Sequence, residues 1–278
     1  MSDAAHPLTP LGATEVHDLW SEEVEDRFRL FIGHCGEQPK MTVFVTDANG
    51  LFGITVDTVR LMQIPALLPS MLVVGIGYPD ADTIADTLDV RARDLTPTSS
   101  PAFDGSGGGD AFLRFVRNEL LAWVAQRFPS CLVDSVYFGH SLGGLFGVHV
   151  LLHDPPAFDH FIISSPSLWW DGHVIFEREE QRAAEKDDLA ARVYFGIGAD
   201  ETDQGRRIEA INLSVGHPLK PPPTHLDMVD DLTCFTDVLQ SRSYPSLELS
   251  VAVHPDEFHA TVVSTVLSRG LLRLFSNV

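Results

Sequence analysis

Apolar residues fall along this chain in short runs that alternate with longer stretches of helical periodicity. Met41–Thr46 (MTVFVT) and Met71–Ile76 (MLVVGI) are runs without polar alternation, the pattern of strands covered on both faces. Arg27–Gly33, Ser135–Phe138, Phe161–Ser164 and Val193–Ile197 read as further strands. Leu247, Leu249, Val251 and Val253 alternate with Glu248, Ser250 and Ala252, which predicts a half-exposed strand near a sheet edge. Between these runs, Phe112, Val116, Leu120 and Trp123 recur at helical spacing, with Asp110 as the expected cap of a helix reaching about Arg127. A second helix is read in Leu142–His153 and a third in His259–Phe275. Strand and helix alternating at this rhythm predict an α/β fold with a mostly parallel central sheet and helices on both faces. Reactive groups then gather at the carboxyl ends of the strands.

The first 12 residues read as a loose arm and 13–278 as one domain. Pro101–Gly109 and Pro221–Pro223 read as loops within it, since strand-like runs of similar character continue on both sides.

Composition narrows the function classes. Thirty-nine acidic residues against 19 basic ones give a net charge of -20, which repels phosphate backbones and anionic bilayers. Neither nucleic acid nor membrane is expected as a partner. No apolar run reaches the roughly 20 residues that span a bilayer. The opening MSDAAHPLTPLGATEV has no basic-then-apolar leader pattern, so a cytoplasmic location is expected. Cys35, Cys131 and Cys234 have neither disulfide nor zinc spacing and are expected as buried free thiols.

The most informative residues are Gly139-His140-Ser141-Leu142-Gly143, a G-x-S-x-G sequence between a strand and a helix. In that setting the serine sits on a tight turn with its hydroxyl raised above the sheet. Glycine is needed two residues to either side, where side chains would strike neighbouring backbone. The helix behind Ser141 adds positive potential where an oxyanion forms.

A serine hydroxyl needs a base. His254 closes the last strand, whereas His259 lies in the loop before the final helix, where a triad histidine belongs. His149 and His153 lie on the helix after Ser141, and His160, His173, His217 and His225 read as surface or structural. The acid is expected after Val193–Ile197, where Asp200 and Glu201 stand side by side; their order alone does not choose between them. One oxyanion-hole amide is expected from Leu142 and the other from Ala48 or Asn49, in the loop after MTVFVT. This chemistry calls for no metal and no organic cofactor. Gly75-Ile76-Gly77 lacks the third glycine and the helix start of a dinucleotide site.

DANGLFG, VVGIGYPD, RARDLTPT (Arg91–Thr98), GHSLGG, SSPSLWW (Ser164–Trp170), GADE and EFH carry a more specific signal. With these motifs the chain, from about Val16 onward, resembles the Putative esterase family of α/β hydrolases. It looks most like the branch that holds the enterochelin and bacillibactin esterases. The resemblance implies an α/β-hydrolase fold and a serine carboxylesterase acting on a small-molecule ester through an acyl-enzyme, with trilactone siderophores or acyl transfer to an alcohol as alternatives. It moves Glu201, three residues after Gly198, ahead of Asp200. It also sets Arg93, Trp169 and Trp170 beside the pocket, against the alternative of an Arg93–Asp94 ion pair and core tryptophans.

Overall fold

The computed structural model describes residues 11–131, 134–205 and 227–275. Most of the expected arm and the Pro221–Pro223 loop lie outside them, as do His217 and His225.

Eight strands form one sheet: β1 (Thr14–Ser21), β2 (Asp26–Cys35), β3 (Met41–Val45), β4 (Met71–Gly77), β5 (Asp134–His140), β6 (His160–Ser164), β7 (Ala191–Gly198) and β8 (Leu247–His254). Their spatial order is β1-β2-β4-β3-β5-β6-β7-β8. β1 and β2 pair antiparallel, β2 joins β4 antiparallel, and β3 to β8 run parallel. This is the mostly parallel α/β arrangement that the alternation predicts and the α/β-hydrolase fold that the resemblance implies. β8 is an edge strand, as expected, but the alternation fails over its second half, where Val251 and Val253 are exposed and Ala252 is half-buried.

The helices are α1 (Ala48–Gln63), α2 (Leu88–Asp94), α3 (Gly109–Arg114), α4 (Leu121–Arg127), α5 (Leu142–His153), α6 (Trp170–Glu185), α7 (Met228–Arg242) and α8 (Val262–Phe275). A π-helical stretch, Phe115–Leu120, joins α3 to α4. The expected stripe is present, with Phe112, Val116 and Leu120 fully buried.

Three local readings are corrected. Asp110 is not the cap of α3: Gly108 holds that position, and Asp110 lies in the first turn with its carboxylate 3.0 Å from His149 Nε2. DANG is not a loop, because helix α1 already starts at Ala48. Cys35 and Cys131 are buried, but Cys234 is exposed on α7.

Two apolar layers flank the sheet. One gathers Phe28, Phe112, Phe115, Phe146 and Trp170; the other gathers Val56, Phe138, Val266 and Leu271 under α1 and α8. β5 runs between them, with Val136 and Phe138 facing one layer and Tyr137 the other, so its carboxyl end is fixed from both sides. Among the described residues no helix is long and apolar enough to cross a membrane.

Candidate active site

Ser141 joins the end of β5 to the start of α5 with φ 60° and ψ -117°, a conformation that L-residues rarely adopt. A side chain at Gly139 would run into the Gly143 carbonyl and the Tyr137 hydroxyl. One at Gly143 would run into Thr46 Oγ1. Both glycines are therefore steric requirements of the turn. Tyr137 supports it from below by donating to the Gly143 carbonyl at 2.6 Å.

The strap that leaves the end of β6, Ser164-Ser165-Pro166-Ser167, clasps the turn. Ser141 N donates to Ser164 O (3.0 Å), and Ser167 N donates to Ser141 O (3.1 Å). Ser167 Oγ lies 3.4 Å from Ser141 Oγ. Ser164 Oγ meets His140 Nδ1 at 3.0 Å, and Ser165 Oγ donates to Glu201 Oε1 at 2.6 Å. The motif SSPSLWW marks the strap in the sequence, but nothing in its spacing says that three hydroxyls turn toward three different site residues.

Of the two adjacent acids, Glu201 meets His259. Its Oε2 lies 2.5 Å from His259 Nδ1, and Gly198 N donates to its Oε1 at 2.8 Å. The Glu201 side chain is wholly buried, whereas Asp200 is half-buried. His259 stands in the turn before α8, and its ring packs on that of His140 with centroids 4.4 Å apart. His140 directly precedes Ser141, so the imidazole and the serine turn share one wall. Burial, reinforced by the neighbouring His259 ring, holds the His140 pKa well below the usual histidine value.

The loop expected to supply the second oxyanion donor packs directly on the elbow. Thr46 Oγ1 and Asp47 Oδ2 surround the position where a Gly143 side chain would grow. Asp47 is left-handed (φ 55°, ψ 36°) and precedes α1, so Ala48 and Asn49 supply amides of a helical first turn, which have no acceptor within the helix. The Asn49 side chain is committed elsewhere: it bonds Tyr78 N and the carbonyls of Tyr78 and Ala81, bracing the loop after β4.

The pocket residues divide. Arg93 gives two hydrogen bonds to Asp94 (2.7 and 3.0 Å) and one to Asp26 (2.8 Å), the ion-pair arrangement. Arg91 is nearly buried and forks onto Asp47. Trp170 is 1% exposed and ties its indole N–H to Thr98 O at 3.0 Å, a core role. Trp169 is half-buried beside it.

The remaining described histidines have partners away from Ser141. His254 meets the Tyr194 hydroxyl, His160 meets Asp134 and His173 meets Asp231. Asp110, His149 and His153 bring three donor atoms within 4.8 Å of one another. Arg178 donates to His149 Nδ1 at 2.9 Å, which puts the ring proton on Nε2, facing Asp110.

Residues 37–223 match the family model described as Putative esterase. The chain belongs to that family. As a Putative esterase member it is a serine hydrolase of ester bonds. It is 29% identical to a siderophore triacetylfusarinine C esterase of Aspergillus fumigatus over 87% of this chain and 84% of that one. It is also 29% identical to a siderophore enterobactin esterase of Emericella nidulans, over 98% and 88% of the two chains. The crystal structure of the BES protein from Bacillus cereus superposes with a TM-score of 0.80 at 24% identity, covering both chains completely, and shares the fold of this esterase.

Proposed function

We propose that this esterase cleaves the ester bonds of a siderophore, with Ser141 as nucleophile, His259 as general base and acid, and Glu201 as the acid that orients His259. The observation that carries the residue roles is the Glu201–His259 contact at 2.5 Å beside a serine held on a strained strand-to-helix turn. The substrate class rests on two relatives named as siderophore esterases, each aligned over more than four-fifths of both chains.

Ser141 Oγ attacks the ester carbonyl as its proton passes to His259 Nε2. The C–O bond forms and the carbonyl electron pair moves to oxygen, where the amides of Leu142 and of Ala48 or Asn49 stabilise the charge. Collapse expels the alcohol, which takes the proton from His259, and leaves the acyl-serine. Water then gives a proton to His259 and attacks the acyl carbon. Collapse of the second intermediate releases the acid and returns the proton to Ser141. Glu201 stays ionised throughout and stabilises the imidazolium.

The -20 charge of the chain and the commitment of Arg91 and Arg93 to internal carboxylates favour a siderophore ester with little net negative charge. The free state of Cys35, Cys131 and Cys234 suits a reducing compartment, the cytoplasm.

The test incubates wild-type enzyme and Ser141→Ala with the iron-free and ferric forms of a hydroxamate and a catecholate ester siderophore, with p-nitrophenyl esters alongside. Wild type should release the monomeric acid at least 10-fold faster from one of the siderophores than from any p-nitrophenyl ester, in terms of kcat/KM. Ser141→Ala should lose roughly 10⁴-fold or more in kcat. Cleavage of p-nitrophenyl esters alone would reject the substrate class. Full activity in Ser141→Ala would reject the nucleophile, and transfer of the acyl group to an added alcohol in place of free acid would make the enzyme an acyltransferase.

A further inference from the structure

Ser165 is wholly buried and holds φ at 42°, in the left-handed region that favours glycine. A serine kept there needs a reason that glycine would not satisfy. Its backbone is pinned, because Ser165 N donates to Gly196 O on β7 at 2.8 Å. Its hydroxyl donates to Glu201 Oε1 at 2.6 Å. Gly198 N fills the same oxygen at 2.8 Å, so Oε1 carries two donors and Oε2 faces His259 Nδ1. A carboxylate held by both oxygens has one orientation left. The segment that carries Ser165 also grips the elbow: its neighbour Ser164 accepts from Ser141 N, and Ser167 N donates to Ser141 O. Acid and nucleophile are thus referred to one four-residue strap.

We propose that Ser165 is a positioning residue for ester hydrolysis: its buried hydroxyl fixes the rotamer of Glu201 and presents Oε2 to His259. This rests on the assignment of Glu201 and His259 to the triad. Without the hydroxyl, Oε1 loses one of these two donors and the carboxylate is freer to rotate about its last torsion. Its charge is also less dispersed, so it binds the proton of the His259 imidazolium more tightly.

Two single variants separate the hydroxyl from the backbone. Ser165→Ala loses the hydroxyl and keeps the strained φ, whereas Ser165→Gly loses the hydroxyl and relieves the strain. Both should lower kcat by about 10-fold with KM unchanged, the scale of one hydrogen bond to a charged group. Both should move the acid limb of the kcat/KM pH profile to higher pH, and Ser165→Gly should melt at or above the temperature of Ser165→Ala. In a Glu201→Ala background, adding Ser165→Ala should cost less than twofold, because its effect passes through the missing carboxylate. Wild-type kcat and acid limb in Ser165→Ala would overturn the proposal. So would recovery of kcat in Ser165→Gly, or a full additional 10-fold loss in the double variant. If Glu201→Ala itself keeps wild-type kcat, it is the triad assignment that fails.

Discussion

Arg91 places Nε and Nη2 on the two carboxylate oxygens of Asp47 at 2.7 and 2.9 Å, in the turn where α1 begins beside the serine elbow. The pair is almost entirely removed from water. Asp47 would otherwise cap α1, but its side chain makes no capping bond and serves Arg91 instead. Removing the arginine alone leaves a carboxylate uncompensated against Gly143. Arg91→Met should therefore cost about 3–5 kcal/mol of stability by denaturant titration. The double variant Arg91→Met, Asp47→Asn should recover most of that loss. Equal stability of the single and double variants would show that the charge is not the source.

Glu201→Gln should reduce kcat by at least 100-fold, because the amide cannot stabilise the imidazolium and offers the wrong group to one of its donors. Asp200→Asn should stay within about threefold of wild type, since its carboxylate is not the one that meets His259. Steady-state kinetics on a p-nitrophenyl ester checks the ranking, and the reverse order would move the acid to Asp200.

His140 and His149 are buried deeply enough for desolvation to disfavour their charged forms. Burial depresses the pKa of His140 and of His149 below the ordinary value of 6.5. The unfolded chain therefore binds protons that the folded chain refuses once the pH falls below about 6.5. Stability should be flat above that point and fall below it, by up to about 1.4 kcal/mol per pH unit for each histidine. Tm measured from pH 8 to pH 5 should show this decline, with a shallower slope in His149→Gln. An unchanged slope in that variant would remove His149 from the account.

Substrate charge should register in the salt dependence. For a trianionic ferric catecholate, kcat/KM should rise as salt screens the acidic protein, while for an uncharged ester it should stay level. Rates at 20 and 300 mM salt distinguish the two. A catecholate rate that falls with salt would point to local cationic attraction.

Much of this site is legible in the sequence because its chemistry is local. Gly139 to Gly143 contain their own steric logic, and His259 follows from its place between the last strand and the last helix. Which of Asp200 and Glu201 meets His259 is not local: Gly198 N and Ser165 Oγ both reach Glu201, and Ser165 lies 36 residues away. Arg93 illustrates the converse. Its neighbour Asp94 is visible in the sequence, but Asp26 approaches from a strand 67 residues earlier, and the two together hold its guanidinium. Ala48 and Asn49 read as a loop because a left-handed aspartate starting a helix without a side-chain cap leaves no capping signature. β1 escapes the pattern because an edge strand with exposed Val16 and Trp20 has no consistent apolar face.

The loops that carry Glu201 and His259 are laced together, with Ala199 N bonded to His254 O and Asp200 N to Glu257 O. The first bond ends on the last residue of β8, an edge strand of the sheet, and the second on the turn that follows it. Fraying at that margin would unthread acid and imidazole in one event while the two apolar layers stay intact. Heating should then silence turnover at a temperature below global melting, and reinforcing the β7–β8 border should extend working life more than repacking the interior would.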